Sequence, residues 1–225
     1  MEQALIFGKI EYLNLLPFHV FMKRFTKSSG QAMSMNHKKG VPAKINREFH
    51  ARRVDAAFIS SIKAKGQRHV DLGIIAKKEV LSVLLIPHAN SKEDAESATS
   101  NLLANLLNLK GEVLIGDKAL RYYLTDQPRI DLAKAWQERF KTPFVFGVLC
   151  YHKDKALYKT IEKKFSKQRV KIPQYILKEA SKRTGIAEKS ILEYLEHISY
   201  KLDAKSKKGL RTFYKEVQLA KRKGF

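Results

Sequence analysis

Up to about residue 150 the chain alternates apolar runs of strand length with helix-period patterns, which restricts it to an α/β fold. The first run is Leu5 to Ile10, and the chain then turns at Asn14 and Pro17. Phe18, Phe21, Met22 and Phe25 follow at the spacing of one helix face. Strand, short loop and helix in that order open an α/β unit. Pro42 suits a first helical turn, and Ile45 and Phe49 lie four apart on one face behind it. AAFIS (56–60), LGIIA (72–76), LSVLLI (81–86), GEVLIG (111–116) and TPFVFGVLC (142–150) are further strand-length runs. Near-continuous apolar strands between helices predict a largely parallel sheet covered on both faces. Beyond residue 150 the pattern is helical: Ile191, Leu195, Ile198 and Leu202 form one stripe, and Leu210, Phe213, Tyr214 and Val217 another.

Composition narrows the function classes. At 44% hydrophobic residues the chain is globular, and 225 residues can build one large domain or two small lobes. No stretch reaches the length of a membrane span, and the first ten residues lack the basic segment of a signal peptide. Cys150 is the single cysteine, so no internal disulfide forms, and a cytoplasmic location is expected. The seven histidines show no metal-site spacing. The formal charge is +22, and residues 151–225 carry 21 Lys+Arg against 8 Asp+Glu, a balance of +13. A basic surface concentrates anions of any kind, from nucleic acid to small carboxylates. The lysines here alternate with acidic and apolar residues along helix faces, and no zinc-finger, RNP or Walker motif accompanies them. No nucleic-acid partner and no membrane are therefore expected.

In open α/β sheets ligands sit beyond the carboxyl ends of strands. The polar residues at those ends are Asn14, Ser60, Ser61 and Asp117. A fifth element, ESATSN (96–101), places Ser97, Thr99 and Ser100 ahead of the apolar run Leu102, Leu103, Leu106 and Leu107. One such hydroxyl suffices to cap a helix. Three suggest that the helix start, with its free N–H groups and positive partial charge, also receives an anion. Capping and anion binding are compatible at that position. Asp117 has a plain alternative as the cap of the helix that follows it. Apart from Asp117, these are small, neutral hydrogen-bonding groups. Together they suit an anionic, oxygen-rich small molecule better than a metal or a nucleotide.

Six segments, in order, resemble one family. They are Tyr12-Leu13-Asn14 with Pro17; Val41-Pro42 to Asn46; DAAFISS (55–61); SATS (97–100); IGDKAL (115–120); and DLAKAWQERFKTPFVFGV (131–148). They look like the chorismate dehydratases of the futalosine route to menaquinone, and span about two thirds of the chain. The resemblance implies a periplasmic-binding-protein-like fold with a ligand cleft between two lobes, in cytoplasmic enzymes. The larger lobe is expected to hold residues 1–80 and 150–225 and the smaller 81–149. The spans PHANSKEDAE and ANLLNLKGE are shorter than the family's, so the second lobe is expected to be trimmed.

The implied reaction removes water from chorismate to give 3-[(1-carboxyvinyl)oxy]benzoate, with neither metal nor cofactor. By the same resemblance Asn14 is the catalytic residue, orienting the reacting centre; as a turn residue ahead of Pro17 it also has a structural explanation. Ser60 and Ser61 would bind one carboxylate, and Ser97, Thr99 and Ser100 the other, with Asp117 beside them. The sister enzyme that releases a dihydroxynaphthoate shares the fold but departs from Tyr12-Leu13-Asn14. A non-catalytic two-lobed anion binder is the remaining alternative.

Overall fold

A computed structural model describes residues 4–28, 35–87 and 90–222. The chain builds a six-stranded and a three-stranded sheet. β1 (Leu5–Lys9) runs through Tyr12 into a single 3-10 turn, Leu13–Leu15, and then into α1 (Leu16–Ser28). β2 (Met35–Lys39), α2 (Pro42–His50), β3 (Ala56–Ser60), the short α3 (Ser61–Ala64) and β4 (His69–Ala76) follow. The smaller sheet comes next, with β5 (Val83–Pro87), α4 (Ala98–Leu106), β6 (Gly111–Ile115), α5 (Gly116–Tyr123), β7 (Ile130–Asp131) and α6 (Leu132–Phe140). β8 (Phe144–Tyr151) returns to the large sheet. The chain closes with α7 (Lys155–Ser166), α8 (Gln174–Thr184), α9 (Glu188–Glu196), β9 (Ile198–Lys201) and α10 (Ala204–Arg222).

The large sheet has the order β2-β1-β3-β8-β4-β9, and the small one β6-β5-β7. In the large sheet β1 pairs in parallel with β2 and with β3. β8 runs antiparallel between β3 and β4, and β9 antiparallel on β4. In the small sheet β5 runs antiparallel to both β6 and β7, and Lys92 adds an isolated parallel bridge to Glu112. The expectation of a largely parallel sheet is thus corrected to a mixed one, because β8 arrives from the small sheet and enters in reverse. Its pairing puts the return crossing at Lys141–Pro143, so residues 144–149, grouped by the sequence with the smaller lobe, belong to the large sheet. A second correction concerns Ile198. α9 ends at Glu196, and Ile198 begins an edge strand instead of continuing a helical stripe. The short span 87–96 includes His88 and Ala89, which lie outside the described residues.

One aromatic knot organises the large sheet. Phe18 meets Phe58 edge-on at 4.9 Å and Phe165 at 5.2 Å, pinning α1 and α7 to β3. Each such pair adds about 0.5–1.5 kcal/mol beyond area burial. Asp131 secures the outgoing crossing. It caps α6 by accepting from Ala133 and Lys134 N–H, and its second oxygen accepts from Val80 and Leu81 N–H at 2.9 and 2.7 Å.

His19 on α1 adds a pH dependence. Its Nε2 lies 2.8 Å from the Ile10 carbonyl oxygen, and burial lowers its pKa from 6.5 to about 4 despite that bond. The unfolded chain takes up the proton near pH 6.5, while the folded one resists until about pH 4. Stability is therefore lost as pH falls through that window. The slope cannot exceed about 1.4 kcal/mol per pH unit for one proton, and solvent at the partly exposed ring narrows the window over which it acts. Denaturant titrations at pH 7 and 5 should show this loss, and His19→Gln should flatten it.

Candidate functional site

Between the two sheets lies a cavity of about 570 Å³, its open mouth included. β3, β4 and β8 contribute Phe58, Ser60, Ile74, Phe146 and Gly147 from one side. Val83, Ser97, Ser100, Ile115 and Gly116 come from the small-sheet side. Tyr12 and Asn14 enter from the turn after β1, and Pro42 from the start of α2.

Four of the seven residues singled out by sequence meet here: Asn14, Ser60, Ser97 and Ser100. The Asn14 Oδ1 atom is buried and, among the described residues, has no hydrogen-bond partner. A buried amide oxygen left unmatched costs about 1–3 kcal/mol, so such a group in a cavity wall calls for a reason. Its backbone is held independently, because Tyr200 Oη donates to the Asn14 carbonyl at 2.7 Å.

The serines share a bonding pattern. Ser60 Oγ accepts from Asn46 Nδ2 at 2.7 Å, while Ser60 N–H donates to Asn46 Oδ1. Ser82, a cavity residue that sequence reasoning missed, accepts from Tyr194 Oη at 2.8 Å. Ser100 Oγ accepts from Ser97 Oγ at 2.7 Å. A hydroxyl that accepts from the protein still has its own hydrogen to give. Among the described residues the cavity thus holds three serine O–H groups with no acceptor of their own, and one amide oxygen able to accept. Ser97 is also the N-cap of α4, accepting from Ser100 N–H at 3.1 Å, so capping and a place in the cavity wall coexist there.

Ser61, Thr99 and Asp117 are placed outside the cavity lining, each turned to a protein partner. Ser61 Oγ donates to the Val145 carbonyl at 2.5 Å. Thr99 Oγ1 accepts from Ile62 N–H at 3.2 Å, tying α4 to α3. Asp117 does not cap α5. Its Oδ1 accepts from Leu13 N–H and its Oδ2 from Arg183, each at 3.0 Å. Burial pushes the Asp117 carboxyl up, with the Leu13 N–H and Arg183 pulling the other way. Thr99→Val should therefore act on the fold. It strands the Ile62 N–H at a cost of about 1–3 kcal/mol, and the melting temperature should drop with ligand affinity unchanged in the folded fraction.

Among the described residues no Asp, Glu, His, Lys or Arg lines the cavity; the ionisable wall residue there is Tyr12. Burial, and then its hydrogen bond to Glu96, push the Tyr12 phenol far above its ordinary value, so it stays protonated. Cys150 is buried and its thiol is pushed up to about 12, which leaves it inert. Among the described residues no group of three or more His, Cys, Asp or Glu could hold a metal ion. No described helix is long and apolar enough to cross a membrane.

Comparison with known proteins fits this geometry. A family described as menaquinone biosynthesis matches over residues 5–112 and 107–218. A chorismate dehydratase of Campylobacter jejuni is 46% identical over 215 residues, covering 94% of this chain and 96% of the relative. The chain belongs to the chorismate dehydratase family of menaquinone biosynthesis. A second member, from Thermus thermophilus, is 25% identical over 267 aligned positions, covering 95% of each chain. That alignment is longer than the 225 residues here, so this family member is the more compact.

Solved structures place the fold. An Archaeoglobus fulgidus protein aligns with a TM-score of 0.71 at 11% identity, covering 97% of this chain and 98% of its own. The periplasmic aliphatic sulphonate binding protein of Escherichia coli aligns with a TM-score of 0.58 at 14% identity, covering 97% and 89%. The fold is periplasmic-binding-protein-like. Tyr12 and Gly116 also line the cavity; their signal in the sequence was membership of the segments YLN and IGDKAL.

Proposed function

We propose that this protein is a hydro-lyase that converts chorismate to 3-[(1-carboxyvinyl)oxy]benzoate, and that it works in the cytoplasm without a cofactor. The observation that carries the reading is the match between cavity and substrate within a family of chorismate dehydratases. Chorismate is a ring with two carboxylates and one hydroxyl. The cavity pairs an apolar wall, including Phe58, Ile74 and Phe146, with three available O–H donors and one unmatched amide oxygen. In this reading Ser60, Ser82 and Ser100 donate to the carboxylates, with the start of α4 adding its N–H groups. Asn14 Oδ1 takes the ring hydroxyl or its departing water. The two sheets would be the two lobes, meeting at this cavity.

Dehydration removes the proton at C3 and the hydroxyl at C4. The C–H electrons become a ring double bond as the C4–O bond breaks, the hydroxyl leaves as water, and the ring is aromatic. The base must come from somewhere, and among the described residues the cavity wall offers no carboxylate or imidazole. Substrate assistance meets this need: the enolpyruvyl carboxylate of chorismate takes the C3 proton and passes it to the leaving hydroxyl. The protein contributes positioning, worth up to ~7–11 kcal/mol in the best cases.

The test is to incubate the purified protein with chorismate and identify the product by mass. An aromatic product lighter by one water is expected. Chorismate bound but unchanged would make the protein a binder, whereas steeply salt-dependent nucleic-acid affinity without turnover would reassign it to its basic surface. Loss of turnover on replacing a single titratable residue, with binding and fold intact, would replace the substrate carboxylate by a protein base.

A further inference from the structure

The turn that carries Asn14 is gripped from the small-sheet side at two places. Leu13 N–H donates to Asp117 Oδ1, and Tyr12 Oη donates to the Glu96 carboxylate. Glu96 directly precedes the α4 cap Ser97 and does not line the cavity. It is itself anchored, since Glu96 N–H donates to Asp94 Oδ1 at 2.8 Å and Asp94 pairs with Lys118 of α5 at 2.5 Å. The Tyr12 ring lies against Gly116, and Tyr12 borders two spaces at once. One is the interlobe cavity. The other is a wider outer groove lined by Lys9, His37, Lys39 and Arg183 among others. The ring thus borders both cavity and groove, and its hydroxyl is tied to the segment that leads into α4.

We propose that Glu96 is a positioning residue, which through Tyr12 latches the small sheet onto the Asn14 turn and keeps the cavity wall closed during turnover. This deepens, and rests on, the dehydratase reading. Tyr12 has one hydroxyl hydrogen, and Glu96 takes it. Without that acceptor the ring is free to swing toward the groove. The wall then opens to water, and Asn14, two residues along, loses one of the ties that fix it. Asp117 and Tyr200 hold the backbone of the turn but do not hold the ring.

The test uses five proteins: wild type, Tyr12→Phe, Glu96→Ala, the double variant and Glu96→Gln. Each is assayed for chorismate turnover and for amide hydrogen exchange at Leu13. Each single removal should lower kcat about tenfold, and the double variant should be no worse than either, because both delete the same bond. Glu96→Gln keeps an acceptor oxygen and should recover most of the activity, which a role in bulk stability or surface charge would not give. Leu13 exchange should accelerate in Tyr12→Phe and Glu96→Ala and stay slow in Glu96→Gln.

Additive losses near a hundredfold in the double variant, unchanged kcat in Tyr12→Phe, or Glu96→Gln as damaged as Glu96→Ala would each overturn the latch. The exchange readout does not depend on catalysis. If the wild type fails to turn over chorismate, the functional reading falls, while unchanged Leu13 exchange across the series would sink the latch separately.

Discussion

Asn14→Ala should lower kcat about 10²–10³-fold while leaving the fold as stable as before. The two halves of this expectation come from the same atom. Among the described residues Asn14 Oδ1 is buried without a partner, so it contributes no stabilising bond that alanine would remove. Deleting an unmatched polar group is nearly neutral or stabilising. A preorganised hydrogen bond made only as the hydroxyl departs is worth about 2.7–4 kcal/mol, hence the rate loss. The turn itself survives the substitution, because its ties run through the Asn14 carbonyl, the Leu13 N–H and the Tyr12 hydroxyl. Steady-state kinetics and thermal melting on one sample decide the matter. A variant that melts several degrees lower yet keeps its rate would make Asn14 an ordinary turn residue.

The parts of the fold that were legible in sequence were those with a strong local signal. Buried strands such as Ala56–Ser60 and Phe144–Tyr151 carry continuous apolar runs and were found. Strand direction is a property of pairing partners far away in the chain, so β8 running against β3 and β4 could not be read from its own residues. β2, MNHKK, buries only Met35 of its five residues and so gives no strand signal. Ile198 was misread because its spacing from Ile191 and Leu195 fits a helix stripe; the helix stops first, at Glu196.

The site shows the same division. Ser97 and Ser100 are three apart and share a helix face, whereas Thr99 points away from that face and meets Ile62. Ser60 ends its strand facing the cavity, and Ser61, the next residue, turns to the other side and meets Val145. Counting hydroxyls identified both clusters, but only periodicity, applied residue by residue, separates cavity-facing from protein-facing ones. Asp117 and Ser82 depend on partners 104 and 112 residues away, at Leu13 and Tyr194. No local pattern encodes such ties.

Gly116→Ala should cut kcat/KM about a hundredfold, with a stability loss above the ~1–2 kcal/mol of the backbone strain alone. Gly116 opens α5 with φ +67°, and a Cβ there would fall 2.7–2.9 Å from three ring carbons of Tyr12. Two costs follow. An L side chain in the left-handed region costs roughly 1–2 kcal/mol by itself. The clash then has to be relieved, and the rigid ring yields more readily than Gly116, whose N–H is bonded to the Ser82 carbonyl at 2.9 Å. A shifted ring stretches the Tyr12–Glu96 bond and drags the Asn14 turn; a misplacement near 1 Å can cost about 10² in rate. Gly185 provides the control. It has φ +69° at the end of α8, and a Cβ there would meet nothing within 4 Å. Gly185→Ala should thus show the backbone part of that drop, about 1–2 kcal/mol, with catalysis untouched, since it isolates the backbone cost from the contact with Tyr12. Equal activity losses in the two variants would mean that strain alone, and not the position of the Tyr12 ring, limits the reaction.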